Sequence, residues 1–368
     1  MRKILIILLI LLGLYFIFAR QAEVEQVLLT LKQGEWQWLI LAFVVQLGYA
    51  LNIGASLRAI YKLLGMDEKV SRLALLGAAA NFVIVVAPSA GMGGMAVLAA
   101  DAQERGHSTG RASTAGAVYT FFDYLATLIV VVIGLFILFQ RNQLHPAEIT
   151  ASLILTGLAL GLGFLLYLGM RSGEKLGKAL VWLGRLANRL LKPLINREYI
   201  DLDRAYAFGV DAAEGLRLAR KSPGGLWIPL ALGLSTKILM MTILFLMFLA
   251  FRQPYTVATI VAGFSMGKLF TIVSPTPSGV GFVETAMTLA LNSLGVPLAP
   301  AALIVLGYRG FTLWLMILYG MIGIRWVGAS SRDNKEDSET SITQSKMSPP
   351  PQPIIGSKQN QSNPHHSR

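Results

Sequence analysis

The 368-residue chain contains no cysteine. Disulfides, thiolate metal sites and cysteine nucleophiles are therefore excluded. Histidine is scarce: His107 and His145 fall in predicted loops, and His365 and His366 near the C-terminus. Such scattered residues build no metal constellation, so neither metal nor cofactor is expected. Charge is the third shortage. Only 14% of residues are Asp, Glu, Lys or Arg and 54% are hydrophobic, whereas soluble domains carry roughly 25% charged residues. That balance describes an integral membrane protein. The net charge of +12 does not point to nucleic acid, because no recognition motif accompanies it. Basic residues gathered between apolar runs are instead the mark of cytoplasmic loops.

Six long apolar segments are present, at about 4–19, 36–57, 114–139, 149–170, 226–250 and 301–324. Each approaches or exceeds the ~20 residues a helix needs to cross the hydrocarbon core. The first, in "MRKILIILLILLGLYFIFA", resembles a signal peptide, but its length and the lack of a small-x-small cleavage site favour an uncleaved helix that leaves Arg20 outside. Two further segments are broken: Leu73 to Ala100 by "APSAGMGG", and Val257 to Val296 by "SPTPSGVGFVE". The expected fold is an all-α polytopic membrane protein with about six full spans and two Gly/Pro-broken hairpins.

Basic residues set the orientation. Arg2 and Lys3, then Arg58, Lys62, Lys69 and Arg72, then eleven Lys and Arg in 171–225, then six from Arg325 onward mark four cytoplasmic regions. Between them, Arg20 and Lys32, Arg141, and Arg252 are sparse and predict exterior loops. If Leu73 to Ala100 crossed once, the eleven-charge region would lie outside, so this segment must enter and return, turning at Pro88 to Gly94. Val257 to Val296 must likewise go out and back, turning near Pro275 to Gly281. Paired broken segments facing opposite sides are the pattern of inverted-repeat transporters; the plainer reading is that Gly and Pro merely kink membrane helices.

Residues 1–328 are thus expected to form the membrane domain, with both termini cytoplasmic in the cell membrane. Within it, 171–225 is basic: Leu176, Leu180, Leu183, Leu186, Leu190 and Leu191 recur near helical spacing among Lys175, Lys178, Arg185 and Arg189. Two readings stand, a helix lying on the anionic inner leaflet and a helix packed on the bundle. Residues 329–368, with "SPPPQPIIG", read as a disordered tail.

Five charges are stranded in apolar segments: Asp123, Lys237, Lys268, Glu284 and Arg309. Each costs at least ~2.5 kcal/mol at the bilayer centre, so they should face one another or a polar cavity. Three cations against two acids leave one cation for an anionic ligand. Arg309 offers a planar fork for phosphate and Lys268 a point charge. Glu284 is expected nearly two turns into a helix that opens at "PSGVGFVE", whose free N–H groups suit an anion. It either pairs with Lys268 or Arg309 or contacts substrate. Asp123 either holds the charges together, binds a proton or meets a cationic headgroup. Lys237 is expected to snorkel from the inner end of its helix.

"SPTPSGVGFVE" resembles the Pro-x-Pro-Gly-Gly-x-Gly-x-x-Glu signature of the lysylphosphatidylglycerol synthase membrane-domain family. The resemblance continues through Asn81, Pro88 and Gly94 in "NFVIVVAPSAGMGG", Asp123, and Tyr308 and Arg309 in "GYRGFTLW", and covers essentially 1–328. Ser278 replaces the first glycine of the signature pair, and no basic residue follows "GMGG" before Arg105, where many relatives carry an arginine. The family's synthases carry a soluble aminoacyl-transferase domain after the membrane part, so the resemblance implies a stand-alone flippase half. It also implies a lipid translocase, not an enzyme, for an anionic or aminoacylated phospholipid or a lipid-linked headgroup. The implied substrate-binding residues are Arg309, Lys268, Glu284, Asp123, Pro277, Ser278, Gly279, Gly281, Asn81 and Gly94. The bilayer and its lipids are the expected partners, and a homo-oligomer stays open. An ion- or proton-coupled solute transporter using Asp123 and Glu284 is the alternative from a second class. A membrane enzyme on lipid-linked substrates is a third, for which no nucleophile–base pair is visible.

Overall fold

The computed structural model describes Leu11, Tyr15 and residues 18–86, 92–106, 108–142, 146–195, 201–220, 223–274 and 276–326. The chain divides into Met1–Gly328 and Ala329–Arg368; the second unit, and with it the expected disordered tail, lies outside the described residues. So does most of the first apolar segment.

Among the described residues there are twelve helices and no strand. These are α1 Gln21–Leu31, α2 Trp36–Leu63, α3 Val70–Val86, α4 Met92–Glu104, α5 Thr109–Gln140, α6 Pro146–Arg171, α7 Gly173–Ile195, α8 Leu202–Arg220, α9 Trp227–Ala250, α10 Val257–Val273, α11 Phe282–Ser293 and α12 Leu298–Trp326. Ser108 and Thr256 cap α5 and α10, accepting from the N–H groups of Arg111 at 3.3 Å and Thr259 at 3.0 Å. Five helices, α2, α5, α6, α9 and α12, are long and apolar enough to cross a membrane by length and composition. Their outward faces are apolar at helical spacing, as in Ile40, Phe43, Val44, Leu47 and Leu51 of α2. Side chains that water would penalise are at home against lipid tails. The protein is a multi-pass, all-α membrane protein.

Both broken segments are hairpins. α3 and α4 start and finish together, with Arg72 Nη2 donating to Asp101 Oδ1 at 2.5 Å and Arg105 Nη1 to Glu68 Oε1 at 3.1 Å. Their turn, at 87–91, lies outside the described residues. α10 and α11 run side by side, Gly263 against Leu291 and Gly267 against Met287. At ~1.5 Å per residue, α3, α4, α10 and α11 are about 26, 20, 26 and 18 Å long, each short of the ~30 Å hydrocarbon core.

Contacts between distant residues define the two ends. Ser108 Oγ donates to Asp211 Oδ1 at 3.1 Å, and Arg111 Nη2 to Glu214 Oε1 at 2.5 Å, so the ends of α3 and α4, the start of α5, and α8 share one end. At the other, Glu35 N–H donates to Ala250 O at 2.9 Å and Arg252 Nε to Glu35 Oε1 at 2.5 Å. The Arg252 guanidinium holds the half-buried Glu35 carboxyl below its ordinary pKa. The two hairpins enter from opposite ends, as charge parity requires.

One expectation changes. Arg20 was assigned to an exterior loop, but the chain continues from it as α1, with Arg20 Nη1 donating to Glu23 Oε1 at 2.6 Å. Val24, Val27, Leu28 and Leu31 recur at helical spacing, and buried Val27 packs against Gly310 of α12. After α1 the chain turns at residues 32–35.

Candidate functional site

A cavity of about 260 Å³ lies in the middle of the bundle. Its walls come from α2 (Tyr49), α3 (Asn81, Ile84, Val85), α5 (Tyr119, Asp123), α9 (Thr236, Lys237, Met240), α10 (Gly267, Lys268, Thr271), Ser278 and Val283 of the second hairpin, and α12 (Tyr308, Arg309, Thr312, Leu313, Met316). The turn of the second hairpin meets the end of α3 beside it, where Ser278 Oγ donates to Val85 O at 3.4 Å.

Polar contacts fasten the walls inside the apolar bundle. Asn52 Nδ2 of α2 donates to Thr236 Oγ1 at 2.7 Å and to Leu232 O at 2.9 Å, and Ser235 Oγ donates back to Asn52 Oδ1 at 3.0 Å. A Cβ at Gly134 of α5 would fall 2.2 Å from Ser265 Oγ of α10. Only glycine lets these two backbones approach so closely.

Four of the five stranded charges form two pairs. Lys237 Nζ donates to Asp123 Oδ1 at 2.5 Å; the lysine side chain is 1% exposed and the aspartate 33%, open to the cavity. The expected snorkelling of Lys237 is therefore wrong. It stands about ten residues into α9, ~15 Å from the helix start at 1.5 Å per residue, too deep for its stem to reach an interface. That depth was countable from the sequence. Arg309, 7% exposed, donates Nε to Glu284 Oε1 at 2.6 Å and Nη2 to the Ser278 carbonyl at 2.8 Å. Its fork thus ties α12 to the hairpin tip. Glu284 Oε2 is buried without a partner.

The fifth charge is Lys268. Among the described residues it has no ion pair or hydrogen bond, only the face of Phe264 5.8 Å from its nitrogen. The cation left over by charge counting is Lys268, while Arg309, the expected phosphate fork, has two of its three nitrogens on protein oxygens.

The signature turn is built differently from expectation. Ser278 (φ 56°), Gly279 (φ 74°) and Gly281 (φ 81°) adopt left-handed backbone, which breaks the chain after a tight turn at Pro277–Gly279. The helix restarts only at Phe282, so Glu284 stands in its first turn, not two turns in. There a carboxylate complements the N-terminal dipole. Of the ten expected residues, Arg309, Lys268, Asp123, Ser278 and Asn81 line the cavity. Glu284 sits behind Arg309, Gly279 and Gly281 shape the turn, and Gly94 packs on Ile84 across the first hairpin. The Pro277 side chain lies outside the described residues.

Sequence reading missed Tyr49 and Tyr119, because aromatics in an apolar span look like lipid-facing bulk, and noted Tyr308 only as part of the family resemblance. It also missed the widened π turn Gly310–Trp314 directly after Arg309, a feature often found at functional sites.

No curated protein matches the chain. The family described as Lysylphosphatidylglycerol synthase TM region matches residues 3–320. With most of its length matched, including both hairpins and the cavity they bound, the chain belongs to the lysylphosphatidylglycerol synthase transmembrane-region family.

Proposed function

We propose that the protein is a lipid translocase, which holds the headgroup of an anionic or aminoacylated phospholipid, or of a lipid-linked substrate, in the central cavity while the acyl chains stay in the bilayer. The observation that carries this reading is Lys268, which among the described residues has no ion pair or hydrogen bond and lines a cavity between the two opposed hairpins. A cation in that position is complemented by an anion that comes and goes. The volume, about 260 Å³, lies below the ~300–1,000 Å³ usual for sites enclosing whole small molecules, and suits a headgroup without its tails. Arg309 Nη1 and the tyrosine and threonine side chains of the wall supply further hydrogen bonds to phosphate oxygens. The family supports lipid handling. Transport, not bond-making, is the activity, with the cell membrane as its site and both termini on the cytoplasmic face.

Headgroup translocation in reconstituted vesicles tests it. Lys268→Gln should lose at least about ten-fold in rate, the effect of removing ~1.4 kcal/mol of anion binding, and Lys268→Arg should keep a substantial part. Parental rates in Lys268→Gln would overturn the assignment.

A second reading has its own observation. The unpartnered Glu284 Oε2 and the cavity-facing Asp123 are the carboxylates a proton-coupled transporter would use. Uptake of a water-soluble solute driven by a pH gradient, in vesicles that move no lipid, would select it.

A further inference from the structure

We infer that α7 is a membrane-docking helix, whose exposed apolar face sits in the headgroup layer at the α3–α4 end of the bundle and whose basic row binds anionic lipid there. This surface is distinct from the cavity, and the inference does not depend on what the cavity carries.

The sequence offered a two-sided helix; the structure gives it three sides. One side packs: Leu176 is 5% exposed, and Gly177 lies against Tyr206 and Gly209 of α8, where a Cβ would fall 2.7 Å from the Tyr206 ring. The opposite side is open and apolar, with Trp182 62%, Leu186 42% and Leu183 37% exposed. Between them runs a basic row that includes Arg185 and Arg189. The reading of a helix packed on the bundle is realised on one face, and a second apolar face remains uncovered.

Two observations say what covers it. α7 follows α6, a membrane-length helix, with only Ser172 between them, and the last residue of α6, Arg171, lies 5.1 Å over the Tyr167 ring. An aromatic with a cation at the end of a span marks the headgroup level, so α7 begins at that level. The charges nearest the apolar face, Arg185 and Arg189, are both positive, while Glu174 at the start of the helix is paired with Lys178. A second copy of this surface would bring like charges together, whereas anionic headgroups complement them. An exposed tryptophan and leucines flanked by arginine is the composition of a helix buried ~5–10 Å into the interface.

The absence of native cysteine permits a direct test on the whole protein. Single cysteines at Trp182, Leu186, Arg185 and Glu174 are spin-labelled, and the protein is reconstituted into vesicles of neutral phosphatidylcholine or of phosphatidylcholine with phosphatidylglycerol. Collision with oxygen, which concentrates in lipid, is compared with collision with a water-soluble nickel chelate. Labels at 182 and 186 should favour oxygen, and those at 185 and 174 the chelate. The depth at 182 and 186 should increase with the anionic fraction and decrease in high salt, which shortens the ~8 Å physiological screening length. Three results overturn the inference: chelate access at 182 and 186 equal to that at 174, poor access of both reagents as under a protein cover, or equal depth in neutral and anionic vesicles.

Discussion

Arg309 is the residue whose role the geometry most constrains. Nε on Glu284 and Nη2 on the Ser278 carbonyl use the fork's fixed geometry, and lysine cannot reproduce two such bonds from one nitrogen. Arg309→Lys should therefore lower activity although charge is retained. Arg309→Ala leaves Glu284 as an uncompensated buried charge, a loss of about 3–5 kcal/mol, whereas Arg309→Ala with Glu284→Ala should recover much of the thermal stability that either single change loses. Stability of the four variants alongside the parent checks this. No recovery in the double variant would mean that the pair does not act as a unit. Sequence alone singled out the five charges, because each is costly in an apolar span. It could not allot partners, since pairing depends on which helices adjoin.

At the scale of elements, the hairpins were legible because Gly and Pro crowd into two places and charge parity forbids single crossings. The start of α11 was not legible. It depends on three left-handed positions among four residues, 278, 279 and 281, one of them Ser278, where a side chain tolerates a conformation usually left to glycine. Gly279→Ala should destabilise by about 2–4 kcal/mol, combining left-handed strain with a Cβ that would fall 2.3 Å from Val283 Cγ2. Gly157→Ala in α6, where nothing lies within 4 Å, should be neutral or stabilise by up to about 1 kcal/mol. Thermal unfolding of the two variants in detergent compares them. Equal effects would show that the turn geometry does not matter to folding. α1 was illegible for another reason: its charges, Arg20 and Glu23, imitate a loop until they are seen to pair.

For the whole molecule, the arrangement of ends is a topological prediction. Cysteines at Gln103 and Ser172 should be labelled from one face of the membrane and one at Arg141 from the other, with the first two cytoplasmic as the basic residues require. Labelling of a cysteine at Lys69, just before α3, from the face opposite to Gln103, just before the end of α4, would reject the hairpin assignment for α3 and α4. The surrounding architecture followed from composition, because apolar runs of span length admit few other solutions.

The contact between Ser278 and Val85 has an electrical consequence. The two hairpins enter from opposite ends, each built of helices shorter than the hydrocarbon core, and the Ser278–Val85 contact where they meet is a septum between the two sides. If water reaches the cavity region from each end in turn, the transmembrane voltage falls mostly across that septum, and a charge moving past it meets most of the field within a few ångströms. The work is about 2.3 kcal/mol per elementary charge per 100 mV. The prediction is that a potassium diffusion potential imposed on reconstituted vesicles alters the transfer rate of a singly charged anionic lipid in opposite senses for opposite polarities, and leaves a zwitterionic lipid unchanged. Rates indifferent to voltage for both would mean that the field is dropped elsewhere and that the tips do not form the barrier.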